Sequence, residues 1–281
     1  MQGIEHIQNV FAGTRRQGRA ALMPYFTLGF PTPDSSLETV RQISRNGADL
    51  IELGVPYSDP LADGPTIQHS TQVALQQGMH MADCLAQVKQ LRRDGVEQPF
   101  LMMGYYNPML AYGLERCVAD TAKAGADGFI VPDLPYEEAG ELAGHCRDNG
   151  LALVAFVAPT TPDKRLVEIV QAASGFLYLV SLTGVTGARD KLSTGLKPFI
   201  ERVRAKSDLP LAVGFGISTP AQARQVGAMA DGVIVGSALI RAAAESPQPA
   251  KAAAEFVAAL RQGLEDGRAV GDEIALGENA Q

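Results

Sequence analysis

The chain is predicted to fold as a single-domain α/β protein, a (β/α)8 TIM barrel, on three observations. Eight short apolar runs rich in Val, Ile, Leu, Phe and Tyr begin near Ala21, Ala48, Pro99, Asp127, Leu151, Phe176, Pro210 and Asp231. Segments of helical periodicity lie between them. No linker of altered composition divides the 281 residues. Eight strand–helix units joined by right-handed crossovers close naturally into a barrel. An open doubly wound sheet is the rival, but it would usually carry fewer strands.

In chain order, residues 1–15 read as a helix leading into the barrel, followed by a first strand that ends in Tyr25-Phe26-Thr27-Leu28-Gly29. A helix is expected over 35–46, closed by Asn46-Gly47-Ala48-Asp49, where glycine supplies a left-handed cap. The second strand is placed over 48–55. Further helices are expected over 83–94, 114–124, 137–149, 162–173, 196–205 and 220–226, and Ala124-Gly125-Ala126-Asp127 repeats the glycine stop. Residues 1–267 are thus assigned to the barrel with its leading helix, and the polar, glycine-bearing 268–281 to a flexible tail.

Composition removes several function classes. A formal net charge of −7 with scattered Lys and Arg offers no basic patch to nucleic acid or to an anionic membrane. The start has no charged region followed by an apolar core, and no run approaches the roughly 18 apolar residues of a membrane span, so a cytoplasmic location is expected. Cys84, Cys117 and Cys146 are far apart and fall on expected helices, as buried reduced thiols do.

Function in such a barrel lies at the C-terminal ends of the strands. No lysine falls there, which disfavours a Schiff-base aldolase. His6, His69, His80 and His145 are neither clustered nor at strand ends, so no metal site is expected. The second strand does carry an acid. Alternation places Leu50, Glu52 and Gly54 on one face and Ile51, Leu53 and Val55 on the other, which puts Glu52 on the inner face near the strand's end. A buried carboxylate without a cation costs several kcal/mol unless it is paired or protonated, which marks a tuned acid or base. The alternative is a structural carboxylate held by backbone donors. The loop beyond carries Asp59 and Asp63; Asp63 before Gly64-Pro65 has the competing reading of an Asx-turn, and Asp59 that of a solvent-facing acid.

Gly214-Phe215-Gly216-Ile217-Ser218 after strand seven and Gly236-Ser237-Ala238 after strand eight have the character of a barrel phosphate site, with Ser237 opening a short helix. The competing reading is that the glycines turn corners and Ser237 merely caps. Tyr25, Met103, Tyr105, Phe215 and Ile234 are placed to wall an apolar pocket, and Tyr178 either packs in the core or turns its hydroxyl toward Glu52 or substrate. The segment 182–192, with its glycines, is a candidate lid.

The run Glu52-Leu53-Gly54-Val55-Pro56-Tyr57-Ser58-Asp59-Pro60-Leu61-Ala62-Asp63-Gly64-Pro65-Thr66-Ile67-Gln68 resembles the signature of the tryptophan synthase alpha subunit family. Pro24-Tyr25-Phe26-Thr27-Leu28-Gly29, Gly104-Tyr105-Tyr106-Asn107-Pro108, Thr183-Gly184-Val185-Thr186-Gly187 and Gly214-Phe215-Gly216-Ile217-Ser218 match further family segments in order, so that the resemblance covers about residues 5–265. It implies retro-aldol cleavage of indole-3-glycerol phosphate to indole and glyceraldehyde 3-phosphate. Glu52 would move protons at indole C3 and at the glycerol hydroxyl, and Asp63 would meet the indole N–H. The resemblance also implies a lid whose Thr186 contacts the Asp63 region, with Gly187 beside it at the substrate. No cofactor is expected in this chain; pyridoxal phosphate is expected in a partner beta subunit, within an alpha2-beta2 complex. The docking face is placed on three proline-bearing loops, at Pro56, Asp59, Asn107, Pro132 and Asp133. Another sugar-phosphate barrel enzyme and a non-catalytic regulatory barrel are the competing classes. The first calls for lysine or paired aspartates at other strand ends, and intact Glu52 and Asp63 argue against the second.

Overall fold

The structure, a computed structural model, describes residues 2–180, 195–214 and 216–277, with side chains through residue 266. Eight parallel strands close into a barrel in sequence order. They are β1 (Ala21–Thr27), β2 (Ile51–Gly54), β3 (Phe100–Met103), β4 (Gly128–Ile130), β5 (Ala152–Val157), β6 (Leu177–Val180), β7 (Leu211–Gly214) and β8 (Gly232–Val235). All eight expected strands are present. β2 starts three residues later than the apolar run, because Asp49 turns outward to accept from Arg19 Nη1 at 2.6 Å, from Arg261 Nη1 at 3.1 Å and from the Leu22 N–H at 2.8 Å.

The wrapping helices are α1 (Ile4–Arg16), α2 (Pro33–Arg45), α3 (Pro65–Gln76), α4 (Met81–Arg93), α5 (Tyr106–Tyr112), α6 (Leu114–Ala124), α7 (Gly140–Asp148), α8 (Asp163–Ala172), α9 (Leu196–Arg204), α10 (Pro220–Gly227), α11 (Ser237–Ala244) and α12 (Pro249–Gly277). The helix expected over 137–149 splits into a 3-10 turn, Tyr136–Glu138, and α7. Of the helices the sequence reading did not place, α3 falls in a stretch left unassigned and α5 in one read as a loop. In α3, Pro65 at the first position presets the backbone where an N–H has no intrahelical partner, and the buried face is made of Ser70, Thr71 and Ala74, too small and polar to show apolar periodicity. α5 tolerates Pro108 for the same reason, since it falls in the first turn. The backbone of α12 stays helical to Gly277, past the boundary drawn at residue 267.

Two apolar cores follow from strand alternation. The outer one lies between strands and helices; the inner one fills the barrel with Ala21, Met23, Leu50, Leu101, Ile130, Ala152, Val154, Phe176, Ala212 and Ile234. α1 plugs one end, its Ile7 and Phe11 joining the inner core and Phe11 lying 5.6 Å from the Phe176 ring. Fully buried Asp127 locks the plug: it accepts from the Gly3 and Phe100 N–H groups and from Arg92 Nη2, each at 2.8 Å, and lies 2.9 Å from His6 Nδ1. The N-terminal end is therefore filled, and chemistry is left to the C-terminal mouth.

Candidate active site

β2 brings Glu52 to the upper inner layer. Leu50 joins the inner core, as the alternation requires, and Glu52 faces Tyr25 of β1 and Leu101 of β3 in register. Its side chain is fully buried, and neither carboxyl oxygen has a hydrogen-bond partner among the described residues. This removes the reading of a structural carboxylate held by backbone donors. An unpaired negative charge in that setting is strongly disfavoured, so burial pushes the Glu52 carboxyl up to about 8 and it carries a proton at neutral pH.

Asp63 sits on the loop between β2 and α3. The turn is closed by the backbone, Asp63 N–H donating to the Pro60 carbonyl at 3.1 Å, with Gln68 Nε2 donating to the Asp63 carbonyl at 2.8 Å. The half-buried Asp63 carboxylate is left to accept from the Tyr105 hydroxyl. Burial raises its pKa to about 6 against the lowering effect of that bond. Tyr105, buried at the end of β3, also accepts from the Ala62 N–H at 2.9 Å and lies 5.4 Å from the Tyr57 ring. The two carboxyls are thus driven apart: between about pH 6 and 8 one is ionised while the other keeps its proton, the pattern that separates an acid from an electrostatic partner.

Tyr25 and Tyr178 roof the acid. Burial first, and then the negative charge of Glu52 and Asp63, hold both hydroxyls well above the ordinary tyrosine range, so each stays neutral. Tyr178 is in the inner core, its ring 4.8 Å from Phe156, and its hydroxyl feels the Glu52 carboxylate. The rings fit because the neighbouring strands present glycine: a Cβ at Gly54 would collide with the Tyr25 hydroxyl, and one at Gly214 with that of Tyr178. Overpacking a tight position costs roughly 1–3 kcal/mol. Gly54→Ala and Gly214→Ala are therefore expected to lower the denaturation midpoint and to cut kcat more than raise KM, because the tyrosines are pushed off the acid. Wild-type kinetics in both variants would show that neither tyrosine position matters.

Met103 and Ile234 border the same inner space, Met103 half-buried and Ile234 buried. Past the ends of β7 and β8, Gly216 has φ +64° and open space where a side chain would project, while Gly236 precedes α11. Ser237 is the first residue of α11 and makes no capping bond; the N-cap is Gly236. Part of the first glycine loop is closed on itself. Gln222 Oε1 accepts from Ser218 N–H at 2.8 Å and Thr219 N–H at 3.2 Å, which leaves Gly216 and the α11 start as the elements facing the mouth. Phe215, Thr186, Gly187 and the 182–192 segment lie outside the described residues.

The expected docking residues divide. Asp59, Asn107 and Asp133 are exposed and Pro132 is half-buried, but Pro56 is buried against its own barrel and offers nothing to a partner. Asn107 belongs to α5 rather than to a loop, and its Nδ2 donates to the Tyr57 hydroxyl at 3.1 Å. The Tyr106 N–H donates to Asp133 Oδ1 at 3.0 Å, tying the next connection to the same face. Leu61, 93% exposed, and Leu110, 49% exposed, add apolar surface there. Among the described residues no three His, Cys, Asp or Glu side chains are grouped to hold a metal, and all three cysteines are buried and free.

Two residues at the site escaped the sequence reading. Thr27 Oγ1 lies 3.2 Å from the Tyr25 hydroxyl and 2.7 Å from Ser70 Oγ. Strand parity puts Thr27 on the face of Tyr25, which was readable; Ser70 comes from α3, a helix with no apolar signature.

The model of the family described as tryptophan synthase alpha chain matches residues 11–269. The tryptophan synthase alpha chain of Chloroflexus aggregans is 56% identical over 237 residues, covering 84% of this chain and 89% of that protein. That of a Roseiflexus species (strain RS-1) is 53% identical over 260 residues, covering 92% of this chain and 100% of its own. The crystal structure of tryptophan synthase subunit alpha from Legionella pneumophila superposes with a TM-score of 0.87 at 38% identity, covering 93% of this chain and 98% of that one.

Proposed function

Since the chain belongs to the tryptophan synthase alpha chain family, a family of carbon–carbon lyases, we propose that Glu52 and Asp63 are the groups with which it performs that family's reaction. The reaction is cleavage of indole-3-glycerol phosphate to indole and glyceraldehyde 3-phosphate, in tryptophan biosynthesis. It needs an electron sink. Indole provides one once its C3 is protonated, because the ring then accepts the electrons of the breaking carbon–carbon bond. Protonated Glu52 gives its proton to C3 and becomes a carboxylate. That carboxylate takes the proton from the hydroxyl on the carbon joined to C3; the oxygen becomes the aldehyde, the bond breaks, and Glu52 ends as it began. Asp63, ionised at neutral pH, accepts from the indole N–H and stabilises the positive charge that develops there.

The observation that carries this reading is the fully buried Glu52 carboxyl with both oxygens unpartnered at the end of β2. The phosphate is assigned to Gly216, Gly236, Ser237 and the N-terminus of α11, at the ends of β7 and β8, with β1 between β8 and the strand of the acid. Tyr25, Met103, Tyr105, Tyr178 and Ile234 wall the indole. The family's pyridoxal phosphate belongs to the beta subunit, the partner with which the alpha chain works. An alpha2-beta2 assembly and a cytoplasmic location complete the proposal; among the described residues no helix is long and apolar enough to cross a membrane.

The proposed docking face connects to the chemistry by contacts already described. Asn107 holds Tyr57, Tyr57 lies against Tyr105, and Tyr105 holds Asp63. A partner seated on Asp59, Asn107 and Leu61 would set the Asp63 carboxylate through this chain. Indole release from indole-3-glycerol phosphate is expected from the purified chain and is expected to rise when the beta subunit is added, with a smaller rise in Asp59→Ala. No indole from either mixture would refute the proposed chemistry; equal rates with and without partner would refute the coupling.

A further inference from the structure

Three hydroxyl groups stand in a line beside the acid. Tyr25 Oη lies 3.2 Å from Thr27 Oγ1, Thr27 Oγ1 lies 2.7 Å from Ser70 Oγ, and Ser70 Oγ donates to the Ile67 carbonyl at 2.9 Å. Thr27 and Ser70 are buried, with no exposed surface. Each hydroxyl has one proton and the line has three links, ending on a carbonyl that only accepts. One arrangement alone fills every link: Ser70 donates to Ile67, Thr27 to Ser70, and Tyr25 to Thr27. The Tyr25 proton is then committed away from Glu52, and Tyr25 presents only lone pairs to the site.

We propose that Thr27 and Ser70 are positioning residues which, by holding the Tyr25 proton, keep Tyr25 from donating to the Glu52 carboxylate and so preserve Glu52 as a proton donor. The need for such a device is physical. Tyr25 is the register partner of Glu52 on the adjoining strand; tied to Thr27, its hydroxyl bonds neither Glu52 oxygen, whereas a hydroxyl released from Thr27 is free to shift and donate to that unpartnered carboxyl. A neutral donor on a buried carboxylate stabilises the ionised form, lowers the pKa and so makes Glu52 a stronger acid. Glu52 would then lose its proton before substrate arrived. The other hydroxyl turned toward Glu52 is that of Tyr178 from β6, which stays neutral, and burial is what holds the Glu52 carboxyl protonated. Tyr105 faces Tyr25 and Asp63 and is already engaged with Asp63. Tyr25 is the hydroxyl whose direction the fold fixes, through residues 43 positions apart in sequence.

This inference rests on the assignment of Glu52 as the acid, and its test separates the two. The pH dependence of kcat/KM for indole-3-glycerol phosphate cleavage would be compared in wild type, Thr27→Val, Thr27→Ser, Tyr25→Phe and Thr27→Val/Tyr25→Phe. Thr27→Val frees the Tyr25 proton at nearly constant volume, and the alkaline limb is expected to move down by about one pH unit, the equivalent of one hydrogen bond to a charged group. Thr27→Ser keeps the link and is expected to keep the wild-type limb. In the Tyr25→Phe background, Thr27→Val is expected to add no shift. Should Thr27→Val fold poorly, Ser70→Ala is expected to move the limb in the same direction by less. An unmoved limb in Thr27→Val and Ser70→Ala, or an equal shift without the Tyr25 hydroxyl, overturns the inference and leaves Glu52 in place. Full turnover in Glu52→Gln would instead remove the assignment beneath it.

Discussion

Glu52→Gln is expected to lower kcat for indole formation by about 10²- to 10⁴-fold, the range over which a positioned acid–base group acts, with KM little changed. The substitution keeps volume and planarity and removes the one proton that the reaction moves twice. Because Glu52 makes no hydrogen bond in the unliganded site, the exchange breaks no contact that shapes the barrel. A loss in kcat alone would thus report chemistry rather than architecture, and steady-state kinetics with a circular dichroism check decide it. A variant with near-wild-type kcat would refute the role given to Glu52.

The same residue is expected to impose an unusual dependence of stability on pH. Folded Glu52 holds its proton up to about pH 8, whereas in the unfolded chain it titrates near the ordinary 4.5. Between these values the folded state binds more protons than the unfolded one, so the unfolding free energy falls as pH rises. The contribution is fully present below the unfolded value and is lost as pH passes the folded value. Asp63, raised from 3.8 to about 6, acts in the same direction over a narrower window. Carboxylates held low by hydrogen bonds from basic or hydroxyl groups, such as Asp94 with Arg41 and Asp120 with Tyr112, act in the opposite sense and at lower pH. Wild type is therefore expected to lose several kcal/mol of stability between about pH 5 and 8.5, and Glu52→Gln to lose much less and to melt higher at pH 8. Thermal melts of the two proteins across that range check this. Parallel curves would mean that Glu52 ionises in the fold at no cost.

The fold and the inward placement of Glu52 were legible because both rest on local pattern. Apolar runs and glycine stops reported the strands, and alternation along β2 placed Glu52 inside with Leu50. What stayed hidden depends on neighbours far apart in the chain. The buried face of α3 is Ser70, Thr71 and Ala74, which no hydrophobic period reveals, so the partner of Thr27 had no signal. Pro56 reads as a stiff exposed loop residue, yet it is buried at the end of β2. Ser237 opens a short helix, as read from the sequence, and the competing reading of a capping serine falls because Gly236 occupies the cap position. Gly54 reads only as an inner-face strand position and Gly214 as part of a phosphate loop, whereas each is the space into which a tyrosine from another strand leans.

The measurement closest to the central claim is the titration of the Glu52 carboxyl itself, by infrared or carbon-13 NMR spectroscopy of the protein labelled at glutamate. One glutamate carboxyl is expected to remain protonated through neutral pH and to titrate near 8, with its signal absent from Glu52→Gln. If every glutamate instead titrated in the ordinary range of about 4 to 5, Glu52 would be ionised at neutral pH and could not be the acid.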